Sequence, residues 1–564
     1  MNIGSAYNWF RKELTFIFKN RIGREHVLLM LIIIVAVSTR LWGIGDVGFN
    51  SDESVYSGQA ANLAGYQEFS EHFSIFRAHP LLFQFFASLV FERFGVVDIF
   101  ARLVSVVFST STVYVTYILG SKIYNTNVGL ASSFILSVIP YHISVSRLAI
   151  VDAPYAFFYS LTLFFIVKYV TEIPNKQNTL NNVKYTYRGK KIFDNTRNIK
   201  YLKDQSLKFL RNNATNNLWL YAIGICGGLT FLSKEVGALA LISTLVYLRF
   251  KHKLGIVKIL LLVVIFLITI SPHLILLTIR DEASQNAGLY TSWQLTRPPN
   301  HPPSFYPIIL QNSLGIILSG LCILATVYGI KSKKERASTV LLLTWIAIPL
   351  LFFQLWPTKG FYYILPLIPA FVILGTSFLF TPFMMNLRHN KKIILFLIIL
   401  IPFTTSSGIS LLFPSNGNTI YLAGSGGLPF AREAAQWIKE NTPEGSVFMT
   451  IGPSMGNVIK FYANRDTLAI SINPNPALHN PSYEPIINPD QMIKSGQINY
   501  IVYDMFSAAR TQHFAEKVLH HANKFNGTLV YEDYKTYKNQ YGETVTEPAI
   551  LIYVLNNIKG GVIR

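Results

Sequence analysis

Apolar runs of about 20 residues recur between His26 and Phe413, and a run of that length is what crosses the hydrocarbon core of a bilayer. Inside lipid each run must satisfy its own backbone as a helix, because no water is there to do it. The expected fold class is therefore a polytopic α-helical membrane protein with about eleven transmembrane helices. Charge agrees, since Asp, Glu, Lys and Arg make up 14% of the chain against a soluble average of about 25%. The net charge of +20 would suit a nucleic-acid binder if it were gathered on one soluble face. It is not. Residues 414–564 hold 12 basic and 12 acidic residues, so the whole excess lies in segments flanking the apolar runs. No nucleic acid is implied as a partner; the lipid bilayer is. Cys226 and Cys322 both sit in apolar runs, which leaves no disulfide framework.

The basic residues also set an expected orientation, because Lys and Arg collect in cytoplasmic loops. Residues 1–25 carry Arg11, Lys12, Lys19, Arg21 and Arg24 and read as a cytoplasmic tail. The segment after it lacks a small-residue cleavage site and reads as an uncleaved first span. The loop 171–217 holds ten Lys and Arg against Glu172, Asp194 and Asp204, so it belongs inside. That parity leaves residues 79–95 as a helix along the outer interface and not a span. Spans are then expected near 26–45, 99–120, 127–146, 148–170, 218–233, 235–250, 255–279, 306–330, 337–356, 361–380 and 393–413. Together they make a transmembrane module over 26–413, with a first outer loop at 46–98 and a proline-rich outer loop at 280–305. The rest, 414–564, changes character. Helix-like stretches (428–441, 454–463, 507–525) alternate with strand-like ones (446–451, 498–503, 528–534, 549–555), which predicts an α/β domain facing outside. It shows no phosphate-binding glycine loop, zinc-ligand spacing or nucleophile elbow, and reads as a lid or acceptor-docking module. The localisation expected is the cell membrane, multi-pass.

Four charged features return to the outer rim of the module, where ionisable groups are expensive and usually functional. Asp52 and Glu53 follow the first span, and Arg147 and Asp152 flank the start of the fourth. Lys234-Glu235 joins two spans, and Lys359 precedes Tyr362 and Tyr363. Each has a plainer account. Asp52 could cap a short surface helix running through Tyr56 to Tyr66. Arg147 and Lys234 could snorkel to lipid headgroups, and Lys359 with two tyrosines is what an interfacial anchor looks like. All four on one face suit a reaction on a lipid-linked anionic substrate. A carboxylate would take the proton from an attacking hydroxyl, and fixed cations would neutralise a departing phosphate. The apolar spans would hold the lipid tail.

The order Ser51-Asp52-Glu53 with Tyr56, His79-Pro80-Leu81, Arg102, Ser146-Arg147-Leu148-Ala149 with Asp152, Leu232-Ser233-Lys234, then Lys359 and Tyr363-Ile364-Leu365-Pro366 resembles a known family. It is that of the protein O-mannosyltransferases and aminoarabinose transferases, multi-spanning glycosyltransferases of the GT-C superfamily. The resemblance covers roughly residues 26–413. It implies Asp52 as catalytic carboxylate beside Glu53, with Asp152 as the second acid of the active site. It implies substrate or carrier-phosphate contacts from Lys234 and Lys359, with Arg147, Tyr363 and His79 in the same set. The implied donor is a polyprenyl- or dolichyl-phosphate sugar, and the acceptor a hydroxyl of a protein or glycolipid, reached in one inverting displacement. No cofactor beyond that donor is indicated, and the sequence leaves a divalent metal open. Two other readings stand beside it. An oligosaccharyltransferase-like enzyme would be expected to carry a Trp-Trp-Asp run in the outer domain, which is absent. A transporter with an external binding domain would be expected to show repeats and polar groups at mid-membrane.

Overall fold

The computed structural model describes residues 21–75, 79–172, 218–279, 281–385, 397–398, 401–407, 428–538 and 543–555. Six of the described helices are long and apolar enough to cross a membrane: Asp98–Ile123, Asp152–Thr171, Ile256–Ile279, Phe305–Lys331, Arg336–Leu355 and Phe361–Leu379. A seventh candidate is the pair Thr126–Val138 and Pro140–Ser146, bent by 63°. The bend falls at Pro140, which cannot donate to the preceding turn and opens the new helix at its first position. The single span expected over 127–146 is therefore broken. Leu218–Ser233 is a shorter apolar helix, and Arg21–Leu41 is the first helix described. All but the first two residues of the basic loop 171–217, and most of the span expected at 393–413, lie outside the described residues.

Residues 79–95 form the helix Leu82–Phe94, whose 13 residues span about 20 Å, short of a bilayer core. The outer loop expected over 280–305 is instead mostly the helix Asp281–Thr296. Its sequence holds no proline; the prolines are gathered just beyond, at 298, 299, 302 and 303, where they stop the helix.

Residues 428–555 fold around a five-stranded sheet: β1 (Val447–Thr450), β2 (Asp466–Ala469), β3 (Tyr500–Asp504), β4 (Thr528–Lys538) and β5 (Thr544–Val554). The order is β2-β1-β3-β5-β4, with β1 parallel to β2 and β3, and β5 antiparallel to β3 and β4. One face packs Ala434, Ile438, Val458 and Ile459 from two helices against Phe448, Val502 and Ile552. The other packs Val518 and Ala522 against Met449 and Ile501. The helix expected over 507–525 is two, Met505–Arg510 and Gln512–Lys524, separated at Thr511.

This unit docks on the first outer loop. Phe461, from the helix Pro453–Ala463, enters a cluster with Phe49, Phe69 and Phe73, its ring 5.1 Å from that of Phe49. Phe49 N–H donates to the Tyr462 hydroxyl (2.9 Å), which in turn donates to Asp98. Arg432 donates to Gly45 O at 3.0 Å.

Candidate functional site

The helix Ser51–Leu63 starts the site. Its cap is Asn50, whose side chain accepts from Glu53 N–H (3.0 Å) while Glu53 Oε2 accepts from Asn50 N–H (3.1 Å). The plainer account, in which Asp52 caps a helix running through Tyr56 to Tyr66, is thus corrected: Asn50 is the cap, the helix runs Ser51–Leu63, and Asp52 lies inside its first turn. At 3.6 residues per turn, neighbouring side chains diverge by about 100°. Glu53 therefore turns inward and Asp52 outward.

Glu53 is 1% exposed and saturated. Beside the bond from Asn50 N–H, Arg102 donates to it through Nε (2.7 Å) and Nη2 (3.0 Å), and Ala149 N–H adds a fourth bond at 2.8 Å. The same guanidinium donates to the carbonyls of Ile44, Val47 and Gly48, tying the segment that follows the helix Arg21–Leu41 to the helix start. In the sequence Arg102 stood in the motif order that carries the resemblance, without an assigned role. Its role follows from the intramembrane cost of a charge that must find partners.

Asp152 opens the helix Asp152–Glu172, is 2% exposed, and accepts from Lys234 Nζ at 2.8 Å. The Lys234 ammonium also lies over the Tyr363 ring, 4.3 Å from its centre. One residue on, Glu235 meets His79 Nδ1, and the Tyr290 ring stands edge-on to His79 at 4.8 Å. Burial alone would raise the Glu235 carboxyl, but His79 outweighs it and holds the group down at about 2.

Asp52 shares this neighbourhood. Confinement by the surrounding protein pushes its carboxyl above the usual range; Lys234 and His79 pull it down, while Asp152 and Glu53 push it up. Its side chain is exposed, and among the described residues it makes no hydrogen bond or ion pair.

Lys359 lies to one flank. It is 6% exposed, and among the described residues its ammonium has one long contact, 3.4 Å from Trp356 O. Asn300 fixes the backbone there, accepting from Lys359 N–H (2.7 Å) and donating to its carbonyl (2.9 Å). Arg297, stacked on Trp293 at 4.7 Å, joins this flank; sequence reasoning missed both Arg297 and Asn300. Arg147 is not brought in: its guanidinium donates to Gly43 O at 3.1 Å and faces Asp46 and Arg102. Asp52, Asp152, Lys234, His79 and Tyr363 are thus gathered, Glu53 and Arg147 brace the scaffold, and Lys359 stands beside them. Among the described residues no group of three or more His, Cys, Asp or Glu is placed to hold a metal. Lys234 and His79 already occupy the Asp152 and Glu235 carboxylates.

Comparison with known proteins agrees with the resemblance read from the sequence. Residues 78–180 match the family model described as dolichyl-phosphate-mannose-protein mannosyltransferase. A comparison with curated protein sequences finds no match. The fold is similar to that of ArnT from Cupriavidus metallidurans bound to undecaprenyl phosphate, with a TM-score of 0.61 at 14% identity, covering 96% of this chain and 100% of that one. It is also similar to the Archaeoglobus fulgidus oligosaccharyltransferase tethered to an acceptor peptide, with a TM-score of 0.56 at 12% identity over 94% of this chain and 74% of the other.

Proposed function

We propose that this chain, which carries the fold seen in ArnT and matches the protein mannosyltransferases over residues 78–180, is a membrane glycosyltransferase. It moves a sugar from a polyprenyl-phosphate donor to an acceptor hydroxyl. The observation that carries the reading is the difference between Asp52 and the three other carboxylates around the site. Glu53 faces Arg102, Asp152 faces Lys234 and Glu235 meets the His79 imidazole, whereas Asp52 is exposed and has no such partner among the described residues. An unpaired carboxylate whose pKa is raised is a stronger base than an ordinary aspartate. That ArnT binds undecaprenyl phosphate supports a lipid-linked donor here.

In this reading the acceptor oxygen attacks the anomeric carbon and its proton passes to Asp52. The bond from that carbon to the phosphate oxygen breaks, and its electron pair leaves with the polyprenyl phosphate. One displacement inverts the sugar. Lys359, a buried ammonium with only a carbonyl 3.4 Å away, is the cation best placed to take a phosphate. Lys234 holds Asp152 and orients the wall opposite Asp52. Glu53 and Arg147 act as positioning residues. The N-terminus lies in the cytoplasm, about eleven spans follow, and the sheet unit stands outside with Asp52. The test is incubation of the purified protein in lipid nanodiscs with a panel of polyprenyl-phosphate sugars. Release of polyprenyl phosphate, abolished in Asp52→Asn, is the expected result; no release from any donor would sink the reading.

A further inference from the structure

A cavity of about 880 Å³ lies between the sheet unit and the first outer loop. That is within the range of roughly 300–1,000 Å³ typical of ligand pockets. Two observations connect it to the reacting centre. Its wall includes His79, the partner of Glu235, and Tyr290, which packs on His79. It also includes Asn457, 3% exposed, whose amide donates to Ser51 Oγ at 3.0 Å and to the Tyr483 hydroxyl at 2.9 Å. Ser51 immediately precedes Asp52. One end of the cavity thus abuts the first turn of the helix that carries the proposed base.

The chemistry of the wall narrows what it would take. Amide, hydroxyl and carboxylate groups dominate: Asn457, Gln497, Glu484 and Tyr483 supply both donors and acceptors, as a hydroxyl-rich ligand requires. Among the described residues of the wall, three carboxylates (Glu71, Asp466, Glu484) face one ammonium, Lys460. His72 does not add to the positive side, since burial and then Lys460 push its imidazole down. Such a wall does not match a phosphate-bearing ligand. Nor does it suit an extended polypeptide. Strand addition needs a free sheet edge, and the edge strand β2 has four residues, with Ala469 already bridged to Pro485.

We propose that this cavity binds the neutral glycan part of the acceptor, so that the sheet unit selects the acceptor and presents one of its hydroxyls to Asp52. The proposal rests on the glycosyl-transfer reading above. The test is saturation-transfer NMR on the full chain in nanodiscs, with short neutral oligosaccharides and, separately, a Ser/Thr-rich peptide as probes. The variant Glu484→Ala/Gln497→Ala removes two exposed wall groups and leaves the packed interior alone. Oligosaccharide binding that weakens about tenfold in the variant, as the loss of two hydrogen bonds would give, is the expected result. Binding of the peptide alone, binding of neither probe, or binding indifferent to the variant would each overturn it. Donor cleavage with water as acceptor by the unaltered protein reports on the transfer reading separately. If that succeeds while the probes fail, only the glycan assignment falls.

Discussion

Asp52 and Glu53 are chemically alike and adjacent, yet the fold gives them opposite work. Removing one partner of a buried ion pair costs about 3–5 kcal/mol, because the other charge is stranded. Glu53→Gln, leaving Arg102 unpaired at 4% exposure, is therefore expected to lower the thermal midpoint sharply and reduce folded yield. Asp52→Asn should do neither. A carboxyl raised in the folded state binds protons more tightly than in the unfolded chain, so stability falls as pH rises through that interval. Neutralising it should leave the midpoint at pH 7 unchanged or slightly higher while turnover drops about a hundred- to ten-thousandfold. The acid limb of kcat/KM, where Asp52 becomes protonated, should lie above the ordinary aspartate range. An Asp52→Asn protein retaining more than about a tenth of the activity would be incompatible with a base. The sequence showed the acidic pair but not which member faces the core, because that depends on where the helix starts. Asn50 sets the start, and a capping box one residue away would have exchanged the two roles.

At the scale of elements, the two lysines part company. In sequence both read as rim cations suited to a phosphate. Lys234→Met strands Asp152, so its first effect is expected on stability, with a midpoint loss measurable by scanning fluorimetry in detergent. Lys359→Met removes a buried charge that has no acidic partner among the described residues, and should leave the midpoint level or raised. Its effect should appear in donor kinetics, as a raised KM if the ammonium binds the donor before and during reaction alike, or as a fall in kcat and kcat/KM together if it meets the phosphate only as charge develops. Unchanged donor kinetics would return Lys359 to a plain interfacial anchor. Packing imposes a further limit on the helix carrying Asp52. A Cβ at Gly58 would sit 2.4 Å from the Phe73 ring, so Gly58→Ala should cost stability despite alanine's better helix propensity. What escaped the sequence here has local causes. β2 is four residues with no alternation to announce it. The kink at Pro140 and the break at Thr511 divide runs whose apolar periodicity is continuous. Arg147 sat in the right motif but points to Gly43, a direction that only the folded chain determines.

At the scale of the whole molecule, the sheet unit and Asp52 must share one side of the membrane because they touch through Phe461, Tyr462 and Arg432. The side itself is read from charge: in the proposed topology the cationic turn after the helix Ala238–His252 faces the cytoplasm and the sheet unit faces outward. Single cysteines test this cleanly, since Cys226 and Cys322 are both buried and should react little. Lys251 and Glu440 are exposed positions on the two proposed sides. In intact cells an impermeant thiol reagent is expected to label Glu440→Cys and spare Lys251→Cys; after permeabilisation it should label both. The reverse pattern would invert the whole arrangement while leaving the site geometry intact, and labelling of both before permeabilisation would break the span count between them. The docking itself makes a separate demand. The Tyr462 hydroxyl accepts from Phe49 N–H and donates to Asp98, so Tyr462→Phe leaves a buried donor unsatisfied beside the start of the helix that carries Asp52. An unsatisfied buried group costs about 1–3 kcal/mol. If the sheet unit only shields the site, donor cleavage with water should continue in that variant. If its contact positions the Asn50–Asp52 turn, cleavage should fall together with the midpoint, and restoring the midpoint with a stabilising lipid should not restore the rate. The second outcome is expected, because Phe49 is the residue directly before the cap that places Asp52.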